Sequence, residues 1–202
     1  MAVLVIAVLL SACGVIERAS APPPRTLELL ASGGITPAEA GPHGTLLIET
    51  PEARAGYRGE AIAYRQESPV IDYFATARWA APPAELLAAA AEDALATAGL
   101  FRSVARSPAA VAADYRLEME LLYLEQDYRD GEPGNARVAL RARLTDAGGQ
   151  VLGSRLLSAS HPASTAGPEA AALAAGAASE RLLTELVRFV HGVLPPPDGP
   201  GE

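Results

Sequence analysis

Cys13 is the only cysteine of the chain, so it cannot close an internal disulfide and is left as a packed thiol, a nucleophile or a metal ligand. The three histidines, His43, His161 and His191, fall where the pattern predicts a loop, a strand end and a helix end. None stands at HxxH or HExxH spacing, so neither a metal centre nor a histidine base is expected. Ser160-His161 and Ser179-Glu180 lie outside a GxSxG elbow, which removes the usual hydrolase signature. Gly33-Gly34 and Gly148-Gly149 read as turn dipeptides, with no GxGxxG or Walker pattern around them. Glu118 and Glu120 share a strand face, as the carboxylates of a glycosidase do. The arginines of the following strand make ion pairing the better reading of both. Trp79, Tyr57, Tyr64 and Tyr73 read as core or rim aromatics. No catalytic residue, metal or bound cofactor is expected, and the chain is not expected to be an enzyme.

What precedes Cys13 assigns the thiol another use. Residues 3–10 form a short apolar run that leads into Ser11-Ala12, as in a secretory leader with a small-residue cleavage site. The run falls short of the roughly 20 apolar residues needed to span a bilayer. Leu10-Ser11-Ala12-Cys13 resembles the bacterial lipobox, in which the cysteine sulfur takes up diacylglycerol, the peptide bond before it is cut, and the new N-terminus is acylated. Residues 1–11 carry no Arg or Lys, a departure from the usual leader. Pro22-Pro23-Pro24 continues as an extended spacer. The expected layout is a signal peptide over 1–12, lipidated Cys13 and spacer over 13–24, one folded domain over 25–194, and a disordered tail over 195–202. Gly14, where an Asp would signal inner-membrane retention, makes the periplasmic face of the outer membrane the expected address by the same resemblance.

Composition agrees with one folded domain. Hydrophobic residues make up 50% of the 202 and charged residues 20%, enough apolar material for a core and too much for a disordered polar chain. The formal net charge is -8, and a protein that neutralises phosphates needs clustered positive charge, so nucleic acid is not an expected partner. All 16 basic residues are Arg, from which no function is read.

The domain reads as strands, a helix, more strands and a helix. Residues 25–30, 45–49, 61–65 and 70–74 are predicted strands, the last two a hairpin across Ser68-Pro69. Pro82-Pro83 opens a helix over 84–99, with Leu87, Ala91, Leu95 and Ala98 on its buried face, and residues 100–104 form a short strand after Gly99. The clearest β signal is the alternation of Tyr115, Leu117, Met119, Leu121 and Tyr123 with polar residues, repeated by Val138, Leu140, Ala142 and Leu144. Pairing Met119 with Ala142 sets Glu118 against Arg143 and Glu120 against Arg141. A third strand over 151–158 completes a meander. Pro168-Glu169 opens the last helix, with Leu173, Ala177, Leu183, Leu186 or Val187, and Val190 on its buried stripe. The expected class is α/β (α+β): a single domain with a mixed, largely antiparallel sheet packed by two main helices.

In this order the chain resembles the ABC-type transport auxiliary lipoprotein family, the PqiC-like lipoproteins that accompany transport systems built around MCE (mammalian cell entry) proteins. The residues that carry the resemblance are Cys13 in its lipobox, Thr26-Leu27-Glu28-Leu29, and the block from Ile48 to Val104. Within that block Ala61-Ile62-Ala63-Tyr64-Arg65, Tyr73, Arg78-Trp79-Ala80, a helix and Leu100-Phe101 follow one another. The resemblance implies a non-catalytic periplasmic docking component that assists transport of phospholipid or another lipid between membranes. Its implied partners are an MCE-domain protein and the ABC transporter subunits, and it raises self-association into rings. The residues leave two other readings open: an envelope-assembly lipoprotein of lipopolysaccharide-assembly or Tol type, and a periplasmic hydrolase.

Overall fold

The alternation over 115–144 becomes the spine of the sheet in the computed structural model, which describes residues 22–31 and 42–196. In chain order the elements are β1 (Arg25–Leu27), β2 (His43–Ile48), β3 (Glu52–Ala53), a 3-10 turn (Ala55–Tyr57), β4 (Ala61–Arg65) and β5 (Asp72–Trp79). There follow α1 (Pro83–Ala98), β6 (Phe101–Arg106), β7 (Tyr115–Asp127), β8 (Asn135–Asp146), β9 (Val151–Pro162) and α2 (Pro168–Val193). Cys13, the leader over 1–12 and the end of the tail over 197–202 lie outside the described residues.

Strand β7 is paired along both edges. On one side β8 runs antiparallel along its length, followed by β9. On the other side β2, β3 and β4 each run parallel to a short stretch of it. Beyond these, β6 pairs with β2, β5 with β4, and β1 with β5. The class is the expected one, and the long ladders are antiparallel as predicted. The sheet is also parallel in part, which alternation within a strand does not encode.

The predicted register is the observed one: Met119 faces Ala142, Glu118 faces Arg143 and Glu120 faces Arg141. The alternation then breaks at an irregularity between Leu121 and Tyr123. A one-residue insertion turns every later side chain over to the opposite face. Leu124 therefore continues the core, and Tyr123, expected in the core, stands on the polar face with Glu125 and Asp127. Both helices cover the apolar face, and the core between them and the sheet includes Trp79, Leu87, Leu95, Leu117, Leu124, Leu182 and Leu186. Helix α1 buries the four predicted residues. It ends where Gly99 takes φ 66° and its N–H bonds Ala96 O at 3.2 Å, a left-handed cap that favours glycine.

Helix α2 corrects one expectation. Leu173 is 66% exposed and Ala177 half-buried, while Leu183, Leu186 and Val190 are buried as predicted. The first half of α2 packs through small residues because the chain after β1 crosses it closely. A Cβ on Gly176 would lie 2.2 Å from the carbonyl oxygen of Leu30. Gly176→Ala gains about 1 kcal/mol of helix propensity. It must displace backbone to do so, and overpacking of this kind costs about 1 to 3 kcal/mol. A net loss of about 1 kcal/mol in urea unfolding is expected, and a stabilised variant would show that the crossing segment yields freely.

Candidate functional site on the polar face of the sheet

The face of β7 and β8 turned away from the helices carries the charged residues. Arg143 Nη2 lies 2.5 Å from Glu118 Oε2, and Arg141 Nη1 lies 2.5 Å from Glu120 Oε2. Arg116 reaches Glu49 Oε1 at 2.7 Å. These pairs border an open groove of about 620 Å³, lined also by Thr50, Glu52 and Ser154. All are partly exposed, so each contributes about 0.2 to 1 kcal/mol and helps set register. Carboxylates held this way by guanidinium groups are not poised as an acid and base pair.

Past the irregularity in β7 the same face turns inward and becomes a buried polar cluster. Glu125 is 6% exposed. It accepts a hydrogen bond from Tyr57 Oη at 2.5 Å and two from Arg65, Nε at 3.3 Å and Nη2 at 3.2 Å. Asp127 accepts from Arg129 Nε at 2.9 Å, Arg129 Nη2 at 2.7 Å and the Arg129 backbone N–H at 3.1 Å. Its Oδ2 also receives Arg137 Nη1 at 2.7 Å. The Arg137 guanidinium carbon stands 5.1 Å from the centre of the Tyr123 ring, a cation–π contact. Burial, then the hydrogen bond to Glu125, raises the Tyr57 phenol above its ordinary value. The Arg129 side chain, against the opposing effect of burial, holds the Asp127 carboxyl well below the usual carboxylate range.

Every oxygen of both carboxylates accepts a hydrogen bond within the cluster. This arrangement ties the 3-10 turn, β4, β7 and β8 together and leaves no acceptor directed at a ligand. The cluster was not anticipated from the sequence. Its signal is the doublet Leu121-Leu122, which breaks strict alternation just before Glu125 and Asp127.

A depressed native value fixes the sign of one pH dependence. Asp127 contributes its full stabilisation above the unfolded carboxylate value of about 4, and this is lost as the pH falls through the lower native value. Asp127→Asn, which keeps the shape but loses the charge on these hydrogen bonds, is expected to be about 2 kcal/mol less stable than the parent at pH 7. The gap should narrow steadily below pH about 4. Urea unfolding across that range measures it, and a gap as wide at pH 2 as at pH 7 would refute the assignment.

The residues weighed in the sequence are scattered. His43 packs its ring 6.2 Å from that of Phe101 and 5.9 Å from that of Tyr115. Ser160 and His161 are neighbours on β9, so their side chains take opposite faces and do not form a nucleophile and base pair. Ser179 is fully buried in α2, and His191 is exposed near its end. Trp79 is buried at the end of β5. Tyr57 belongs to the buried cluster, Tyr64 packs 4.8 Å from Phe74, and Tyr73 Oη bonds Gly56 O at 3.0 Å. Among the described residues no group of three or more His, Cys, Asp or Glu is placed to hold a metal ion. Among them, too, no helix is long and apolar enough to cross a membrane.

The fold and its polar face define a class: a helix-backed mixed-sheet domain whose buried charges are taken up in holding the sheet together. The chain belongs to the ABC-type transport auxiliary lipoprotein component family, whose model matches residues 26–187. It is therefore a lipoprotein of the kind that attaches to a membrane and accompanies ABC-type transport. It is similar to the crystal structure of protein XCC0632 from Xanthomonas campestris, described there under the family DUF330. The TM-score is 0.72 and the identity 25%, over 83% of this chain and 95% of that one. A second solved structure, described as an uncharacterized protein, shares the fold at a TM-score of 0.65 and 13% identity, over 83% of this chain and 99% of that one. A search of curated proteins finds no match.

Proposed function

We propose that this chain is the outer-membrane lipoprotein of an MCE-type ABC transport system. In this reading it is a non-catalytic docking component that assists movement of phospholipid or another lipid between membranes. The family match over residues 26–187 carries the reading. The charge distribution supports it. The groove beside Glu118 and Glu120 is open and lined by carboxylates and guanidinium groups, a poor seat for an acyl chain. A lipid crossing water needs apolar cover at about 0.8 kcal/mol per methylene. This domain then serves by holding another component in place, while ATP hydrolysis belongs to separate subunits. Diacylglycerol and an N-acyl chain on Cys13 would tether it at the periplasmic face, with Pro22-Pro23-Pro24 holding the domain off the bilayer.

The test is affinity purification of the tagged chain from detergent-solubilised envelopes. The MCE-domain protein and ABC subunits are expected to co-purify. Recovery of neither counts against the reading, and recovery of lipopolysaccharide-assembly or Tol components in their place would move the chain to envelope assembly.

A further inference from the structure

Strand β9 pairs only with β8, so among the described residues its other edge carries no strand. Which groups face outward follows from two bonds. Arg181 Nη1 donates to Ser160 O at 2.9 Å, so that carbonyl points away from β8. The N–H of Ala163 points the other way, to Gly134 O at 3.0 Å. In an antiparallel ladder the N–H and C=O of alternate residues point the same way. Ser154, Leu156 and Ser158 therefore direct both groups outward with Ser160. Pro162 belongs to the same set, and at a free edge its missing N–H costs nothing.

Beside this edge runs α2, and the two border a groove of about 540 Å³ lined by Ser158, Ala159 and Ser160 on the strand and by Arg181, Thr184, Glu185 and Arg188 on the helix. A strand edge next to a helix is the geometry in which an extended peptide adds as a further strand. Leu156 is 62% exposed and would be covered by such a neighbour. The charge selects the occupant. The chain as a whole carries -8, yet Arg155, Arg181 and Arg188 are all exposed along β9 and the flanking turns of α2, with Glu185 paired to Arg188. A second copy paired on the same edge would bring two such basic helix faces together.

We infer that the free edge of β9 and the basic face of α2 form a strand-addition site for an extended, carboxylate-bearing segment of another protein. The Arg181 guanidinium holds the place at Ser160 O that a backbone N–H of the incoming strand takes, and is then released to a carboxylate. The site is defined by its own chemistry and does not depend on which transport system the chain serves.

The experiment uses the full-length chain in detergent and a fluorescein-labelled heptapeptide of alternating Val and Glu. A saturable rise in anisotropy is expected, weakened about tenfold or more by Arg181→Glu. Ser158→Pro should abolish it, because the proline removes an outward N–H and leaves the β8 ladder intact. Hydrogen exchange on the unsubstituted chain guards against a misfolded variant: the amides of Leu156 and Ser158 should gain protection with peptide, while that of Ala159, already bonded to β8, stays as it was. The inference is overturned by the absence of saturable binding, by equal binding of the Val and Lys counterpart, or by no change at those two amides. It is also overturned if sedimentation shows a dimer that Ser158→Pro dissolves, which would give the edge to a second copy.

Discussion

Glu125→Ala should lower the unfolding free energy by about 3 to 5 kcal/mol, the cost of breaking a buried ion pair from one side. The carboxylate is the shared acceptor for the Tyr57 hydroxyl and two nitrogens of Arg65. The Arg65 side chain is only 14% exposed and that of Glu125 4%. Deleting the acceptor leaves a guanidinium and a phenol in a site water reaches poorly, and the penalty of those orphaned groups exceeds the worth of the bonds themselves. For a domain of this size each kcal/mol moves the midpoint by about 2 to 4 °C, so a fall of about 10 °C is expected. Glu118→Ala provides the contrast. Its partner Arg143 is about half exposed, at 49%, so the loss should stay within about 1 kcal/mol. Chemical and thermal unfolding of the two variants would decide the point, and equal losses would mean that the Glu125 site is as wet as the surface ladder.

The contrast between these two glutamates also marks how far the sequence reads. Glu118 and Glu120 lie in strict alternation opposite the arginines of β8, so their face, partners and register follow from a period of two and one complementary pair. Helix α1 is equally legible, since proline, apolar spacing and glycine all specify the same segment. Glu125 sits a few residues further along the same strand, beyond one inserted residue, and that insertion reverses the faces. Its partners Tyr57 and Arg65 arrive from the 3-10 turn and β4, which run beside β7 through parallel pairings that local pattern does not specify. Leu173 fails for a related reason: the first half of α2 takes its orientation from the backbone of Leu30 crossing at Gly176, a contact made across the chain and not along it. Local signals therefore specify most of the elements and the core faces of α1 and of β7 up to its irregularity, while long-range crossings set the start of α2 and the buried end of the polar face.

Cys13→Ser is expected to move the chain from the membrane fraction to the soluble fraction, because under the proposed function the thiol carries the lipid. Each buried methylene of an acyl chain contributes about 0.8 kcal/mol, one chain alone binds reversibly, and stable anchoring takes two or more. Among the described residues no helix offers a substitute, since none is long and apolar enough to cross a bilayer. Under the same reading residues 14–24 separate the anchor from the folded domain, whose first strand is held where Arg25 is bound to Glu169 at the start of α2. The substitution should thus leave the folded domain and its unfolding midpoint unchanged while removing the tether. Fractionation measures the release. The intact mass of the unsubstituted protein should show residues 1–12 removed and acyl groups added at Cys13. A serine variant that still sediments with the outer membrane, or a mature protein of unmodified mass, would mean that something other than residue 13 does the holding.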